Sequence, residues 1–198
     1  MLNDKEITYS TFQLLKAFKG TDYALTRARL VDWMAKGFIE ASIPSPGQGI
    51  PAKFNTVDVY KLGLFIYLVD RLNMRREDAN TIARRMYKEF LSYFKKKSED
   101  QGITANLAFT AKYYIQELYI FYLEGTEGSD IKQTFRFGSK FSEVGGHNKN
   151  QKELLEDIVS VIPPVLNGKK WRVFQVINVD SITNDIDAIL YKFQQKEN

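Results

Sequence analysis

The sequence predicts an α+β protein in two parts, a helical part over residues 1–97 and a small α+β domain over residues 103–198. Three observations predict it. Apolar residues recur at helical spacing through the first hundred positions. Aromatic and branched residues then gather in short runs, the pattern of strands. Charge divides the same way: residues 1–100 hold 17 Lys/Arg against 12 Asp/Glu, and the rest of the chain holds 11 against 12. A basic first half joined to a near-neutral second half fits a nucleic-acid module coupled to another function. An apolar content of 44% is enough to build cores in both.

The elements follow in order. Ser10 or Thr11 caps a first helix with Phe12, Leu14, Leu15 and Phe18 as its apolar positions, and Gly20 ends it. A second helix is expected over 26–36. Leu30, Trp33 and Met34 fall at the i, i+3, i+4 spacing of one buried face, and Gly37 stands where the helix stops. Residues 38–43 read as a strand and 53–55 as its short return. The Pro- and Gly-rich stretch between them, 44–51, cannot be regular structure, so the three pieces make a hairpin with a flexible tip. Thr56 caps a third helix, expected to about residue 72, and Asp58 in its first turn complements the helix dipole. A fourth helix is expected over 75–97. Ile82, Met86, Phe90, Leu91 and Phe94 form its apolar stripe, and Lys95, Lys96 and Lys97 suit its C-terminus.

Residues 98–102 read as a linker. Strands are expected at 117–124, 132–137 and 171–179, with 125–130 as a loop and 138–151 as polar, irregular chain. Residues 152–161 read as a helix that Pro163 and Pro164 end. A last helix is capped by Asp180 or Ser181 and runs to about residue 195.

Composition excludes much chemistry. The chain has no cysteine, so disulfides and thiolate metal sites are ruled out. His147, the one histidine, sits in a Gly/Asn-rich loop. No metal and no cofactor is expected. There is no phosphate-binding Gly-Lys loop, and Gly47-Gln48-Gly49 is too short for a dinucleotide fingerprint. Nucleophile–base pairs built on Cys or His are missing, so no enzyme is expected. The first residues lack the basic-then-apolar order of a signal peptide, and no run of 18 apolar residues occurs. A cytoplasmic protein without membrane contact is the expectation.

Thr26, Leu30, Trp33, Gly37, Ile39, Ser42, Gly47, Gly49, Phe54, Asp58, Val59 and Leu62 then fall in an order that resembles the MerR-type winged helix-turn-helix, over roughly residues 8–85. The resemblance implies an N-terminal winged helix-turn-helix, a transcriptional regulator that binds double-stranded DNA, and a homodimer held through the helix at 75–97. It implies that the second helix enters the major groove with its N-terminal residues at base edges. Thr26, Arg27, Arg29 and Lys36 on that helix, Lys53 on the wing and Lys61 behind it are the DNA-binding candidates. Arginine suits guanine because its planar fork makes two parallel bonds.

Ala28 stands where the family usually has arginine, and so do Pro51 and Ala52 on the returning wing strand. Lost arginines remove phosphate anchors. A winged-helix adaptor that binds a protein rather than DNA is therefore the alternative. The C-terminal half is expected to sense or to dimerise. Its aromatics, Tyr113, Tyr114, Tyr119, Phe121, Tyr122, Phe135, Phe137, Trp171 and Phe174, could build a core or line a pocket for a small apolar ligand.

Overall fold

The structure is a computed structural model that describes residues 7–47, 49–100, 115–127, 130–141 and 170–197, with side chains described over 7–47, 49–88, 177–179 and 181–196. The architecture is α+β, with helices and small antiparallel sheets. The chain divides into two units. The first holds residues 1–101 and 181–198, and the second holds 102–180.

The first unit opens with β1 (Thr8–Ser10), which runs directly into α1 (Thr11–Phe18). Ser10 caps α1 through a capping box: its hydroxyl accepts the Gln13 N–H, and the Gln13 side chain accepts the Ser10 N–H at 2.8 Å. Leu14 and Phe18 are buried, whereas Phe12 is 71% exposed. Phe12 therefore does not share the core face expected for it. Leu14 and Phe18, four residues apart, define that face, and Phe12 lies about 200° around the helix from Leu14.

Next comes α2 (Arg27–Ala35), capped by Thr26, with Leu30 and Trp33 buried. Gly37 follows at φ +70°, the left-handed exit that the sequence reading assigns to it. Residues 38–42 are not a strand. The N–H groups of Phe38 and Ile39 both donate to the Trp33 carbonyl, which keeps this stretch wrapped on the end of α2. Only Ile43 reaches the sheet, through an isolated bridge to Lys53.

The true partner of β2 (Lys53–Asn55) is β1, antiparallel, with Tyr9 opposite Phe54. Phe54 is fully buried there. Asn55, one residue before the expected Thr56, caps α3 (Thr56–Asp70), and its amide oxygen accepts the Asp58 N–H at 2.9 Å. Eight of the fifteen residues of α3 are buried. A helix apolar nearly all round belongs at the centre of a core, and α3 is the axis on which this unit is built. Trp33 meets Phe65 of α3 edge-on, with ring centroids 4.9 Å apart, and Phe38 stacks on the same ring.

The fourth helix, α4 (Arg76–Asp100), is 25 residues long and takes in residues 98–100 of the stretch expected to be a linker. Ala79, Ile82, Ala83, Met86 and Tyr87 are its buried positions. Phe90, Leu91 and Phe94 lie outside the described side chains.

The second unit contributes a sheet of order β4-β3-β5, built from β3 (Ile115–Glu127), β4 (Asp130–Phe141) and β5 (Lys170–Asn178). All three strands were expected, and all are longer or differently bounded than expected. Glu127 pairs with Asp130, so the strands claim most of the loop foreseen at 125–130, and β4 continues through Phe141. Across the sheet Tyr122 stands opposite Phe135, and Leu123 opposite Phe174. The rest of the expected irregular stretch, the helix at 152–161 and Tyr113 and Tyr114 lie outside the described residues.

The chain ends in α5 (Val179–Glu197). The sequence reading places this helix in the C-terminal domain, but residues 181–198 fall within the first unit. Its buried residues Ile182, Ile186, Leu190 and Phe193 make one stripe. An ideal Cβ on Gly63 of α3 would stand 2.6 Å from Cδ1 of Ile186, so glycine is what lets the two helices approach. Polar contacts fix the register. Tyr23 donates to Asp185 at 3.0 Å, Tyr60 donates to Asp187, and Gln194 donates to the Tyr9 hydroxyl at 2.9 Å. Burial and the neighbouring carboxylates push the Tyr23 and Tyr60 phenols above their ordinary range. Burial also raises that of Tyr9.

Candidate functional site

The loop closed by the Ile43–Lys53 bridge is held to the core by one carboxylate. Asp58 is 7% exposed. Its Oδ2 accepts the Ser42 N–H at 2.9 Å, the Ser42 hydroxyl and the Asn55 N–H at 3.2 Å. Its Oδ1 meets Lys61 Nζ at 3.4 Å. A buried carboxylate is tolerated only when its lone pairs are engaged, and here both oxygens are. Asp58 therefore ties both ends of the loop to the first turn of α3. The sequence reading assigned it only a dipole role. The polar residues Ser42 and Asn55 flanking the hairpin were the available sign of more.

Beside this loop stands α2. Thr26 sits at its N-cap, where its hydroxyl accepts the Arg29 N–H at 3.3 Å. Burial of Leu30 and Trp33 fixes the rotation of the helix. At about 100° per residue, Ala28, Val31, Asp32 and Ala35 share the opposite side, and Arg27, three residues before Leu30, stands on the flank. Ala28, Val31 and Ala35 are exposed, Val31 at 54%, as is Arg27, and Asp32 is half-buried.

Arg29 faces elsewhere. Its guanidinium makes a two-pronged pair with Asp70 at 3.0 and 2.7 Å, donates to the Ala24 carbonyl at 3.1 Å, and lies over the Trp33 ring at 4.3 Å. A forked pair stacked on an aromatic ring is an ordered arrangement rather than a free cation. Lys36, the C-cap, pairs with Asp32 at 2.7 Å. Lys61 is drawn to Asp58.

The six candidates thus separate. Arg29, Lys36 and Lys61 are paired with carboxylates, and Thr26 is spent on capping. Arg27 and Lys53 are exposed and have no carboxylate partner among the described residues. Further cations are matched in the same way: Arg71 with Asp22 at 2.7 Å, Arg75 with Asp78 at 2.8 Å, and Arg84 with Glu40. The surplus of positive charge read from the sequence is locally compensated across much of this unit.

A cleft of about 40 Å³ lies between Phe38, Asp58, Phe65, Asn80 and Arg84. It is too small for an organic ligand, which takes about 300 Å³ or more. Among the described residues no three His, Cys, Asp or Glu side chains stand where they could hold a metal ion. No described helix is long and apolar enough to cross a membrane. The chain matches no protein-family model and no curated protein.

Proposed function

We propose that the first unit is a winged helix-turn-helix and that the protein is a cytoplasmic transcriptional regulator that binds double-stranded DNA. In this reading α1 and α2 are the paired helices, α2 is the reader and the loop 43–53 is the wing. The observation that carries it is the outward side of α2, where Ala28, Val31 and Ala35 are exposed, with Arg27 exposed at its N-terminal edge and without a carboxylate partner among the described residues. That is where a helix-turn-helix meets base edges. The order β1, α1, α2, loop, β2, α3, the positive φ of Gly37 and the Asp58 clamp support the same architecture. The family resemblance assigns the dimer contact to α4, and sensing or further dimerisation to the second unit.

Binding of random and selected duplexes, followed by fluorescence anisotropy against salt, tests the reading. With Arg27 and Lys53 as the cations of α2 and its neighbouring loop that have no carboxylate partner among the described residues, a two-fold dimer makes about four phosphate contacts, and log K falls with a slope of about −4 against log salt. Absence of binding at low salt refutes it.

The neutralised state of Arg29, Lys36 and Lys61 favours a second reading, an adaptor whose α2 face docks on a protein. A screen in which α2 substitutions abolish a protein contact while duplexes never bind would establish that reading instead.

A further inference from the structure

We infer that α2 reads thymine. Ala28, Val31 and Ala35 contact the 5-methyl groups of thymines in the major groove, and Arg27 sits at the edge of that readout. The inference rests on the DNA reading above and specifies what the exposed face recognises.

Burial of Leu30 and Trp33 turns Ala28, Val31, Asp32 and Ala35 outward together, with exposed Arg27 on the flank at the N-terminal end. Three of the four carry only alkyl groups. The polar side chains beside them are engaged: Asp32 with Lys36 at 2.7 Å and Arg76 at 3.8 Å, and on the flank Arg29 with Asp70 and the Trp33 face. The stripe of Ala28, Val31 and Ala35 therefore runs between Arg27 at the N-terminal flank and a carboxylate already held by two cations. In the major groove the four base pairs differ in their donors and acceptors and in one apolar group, the thymine methyl. An alkyl stripe can discriminate only by that group.

The side-chain sizes suit the task. Ala28 and Ala35 let the backbone come close to the base edges, and the branched Val31 between them is more than half exposed. The charges match a polyanion: Arg27 and, on the neighbouring loop, Lys53 are exposed and free of carboxylates among the described residues. Specificity from methyl contacts with affinity from a few cations also fits a face on which the other basic residues are neutralised.

The test uses the whole protein and a site selected from a random duplex library. Each thymine of that site is then replaced by deoxyuridine, which deletes the methyl and keeps the pairing edge. Loss of one buried methyl weakens binding on the order of fourfold. The expected result is two or three positions with losses of that size and none at the flanking thymines. Val31→Ala, a change at an exposed position that leaves the core intact, should erase the deoxyuridine effect at one position and preserve it at the others. Unchanged affinity after full deoxyuridine substitution overturns the thymine readout and leaves the DNA reading standing. Failure to bind any duplex at low salt overturns both.

Discussion

Gly63→Ala tests whether the last helix belongs to the first unit. The added Cβ would lie 2.6 Å from Cδ1 and 2.7 Å from Cγ1 of Ile186. Carbon atoms rest at about 3.5–4.0 Å, so the overlap is about 1 Å with each. Ile186 is fully buried and cannot swing into solvent. Overpacking of this kind costs about 1–3 kcal/mol, and alanine returns at most about 1 kcal/mol through its helix propensity. The net expectation is a loss of about 1–2 kcal/mol.

The assay is urea unfolding of the full chain in a Trp171→Phe background, so that Trp33 alone reports on the first unit. A second variant makes the result diagnostic. Ile186→Ala removes both clashing carbons and by itself costs about 2–5 kcal/mol. In that background Gly63→Ala should become neutral or stabilising, a coupling of about 1–3 kcal/mol. If Gly63→Ala stabilises the parent protein, α3 and α5 do not meet at this position and the division of the chain drawn here is wrong.

Three further outcomes are expected. Asp58→Ala should cost about 1–3 kcal/mol, because the Ser42 and Asn55 N–H groups lose their acceptor, and limited proteolysis should then cut the loop 43–53 faster than in the parent. The raised tyrosines set an alkaline limit. Their folded pKa values stand above the unfolded value of about 10, so their contribution is fully present below pH 10 and is lost as pH rises further. Stability should fall above that point by about 1.4 kcal/mol per pH unit for each such tyrosine, and Tyr23→Phe should make the fall shallower in urea midpoints taken from pH 9 to 11. Finally, Arg29→Ala and Arg27→Ala should separate stability from DNA affinity. The first should lower stability by about 1 kcal/mol, given a pair one-third exposed, and leave the salt slope unchanged, whereas the second should spare stability and make the slope shallower by about 1 per protomer.

What could be read from the sequence was what short-range physics decides. Trp33 and Leu30 are three residues apart, and Gly37 follows them, so one helix and its exit were visible in a window of eleven residues. Strands β3, β4 and β5 were visible for a related reason, since each is a dense run of β-formers. β1 escaped because three residues, Thr8–Ser10, become a strand only by pairing with Lys53–Asn55, which lie far along the chain. The engagement of Arg29 was hidden on the same grounds. Nothing within a helical turn of it betrays Asp70, 41 residues away. The apolar stripe of α5 was legible as a stripe, but periodicity says which residues are buried and not which unit buries them.

That last point changes how the chain is divided. The second unit is an insertion in the first, because the chain leaves through α4 and returns through α5, and both helices contribute buried residues to the first unit. The return is fastened at specific places: Asp185 and Asp187 accept from Tyr23 and Tyr60, Gln194 donates to Tyr9, and Ile186 fills the space that Gly63 leaves. Tyr9 is also the residue of β1 that pairs with Phe54 of β2, directly after the loop that Asp58 clamps. Residues of α5 therefore partner β1 and α3, the two elements that anchor that loop, so replacing Gln194 and Asp187 together by alanine should speed proteolysis of the loop 43–53.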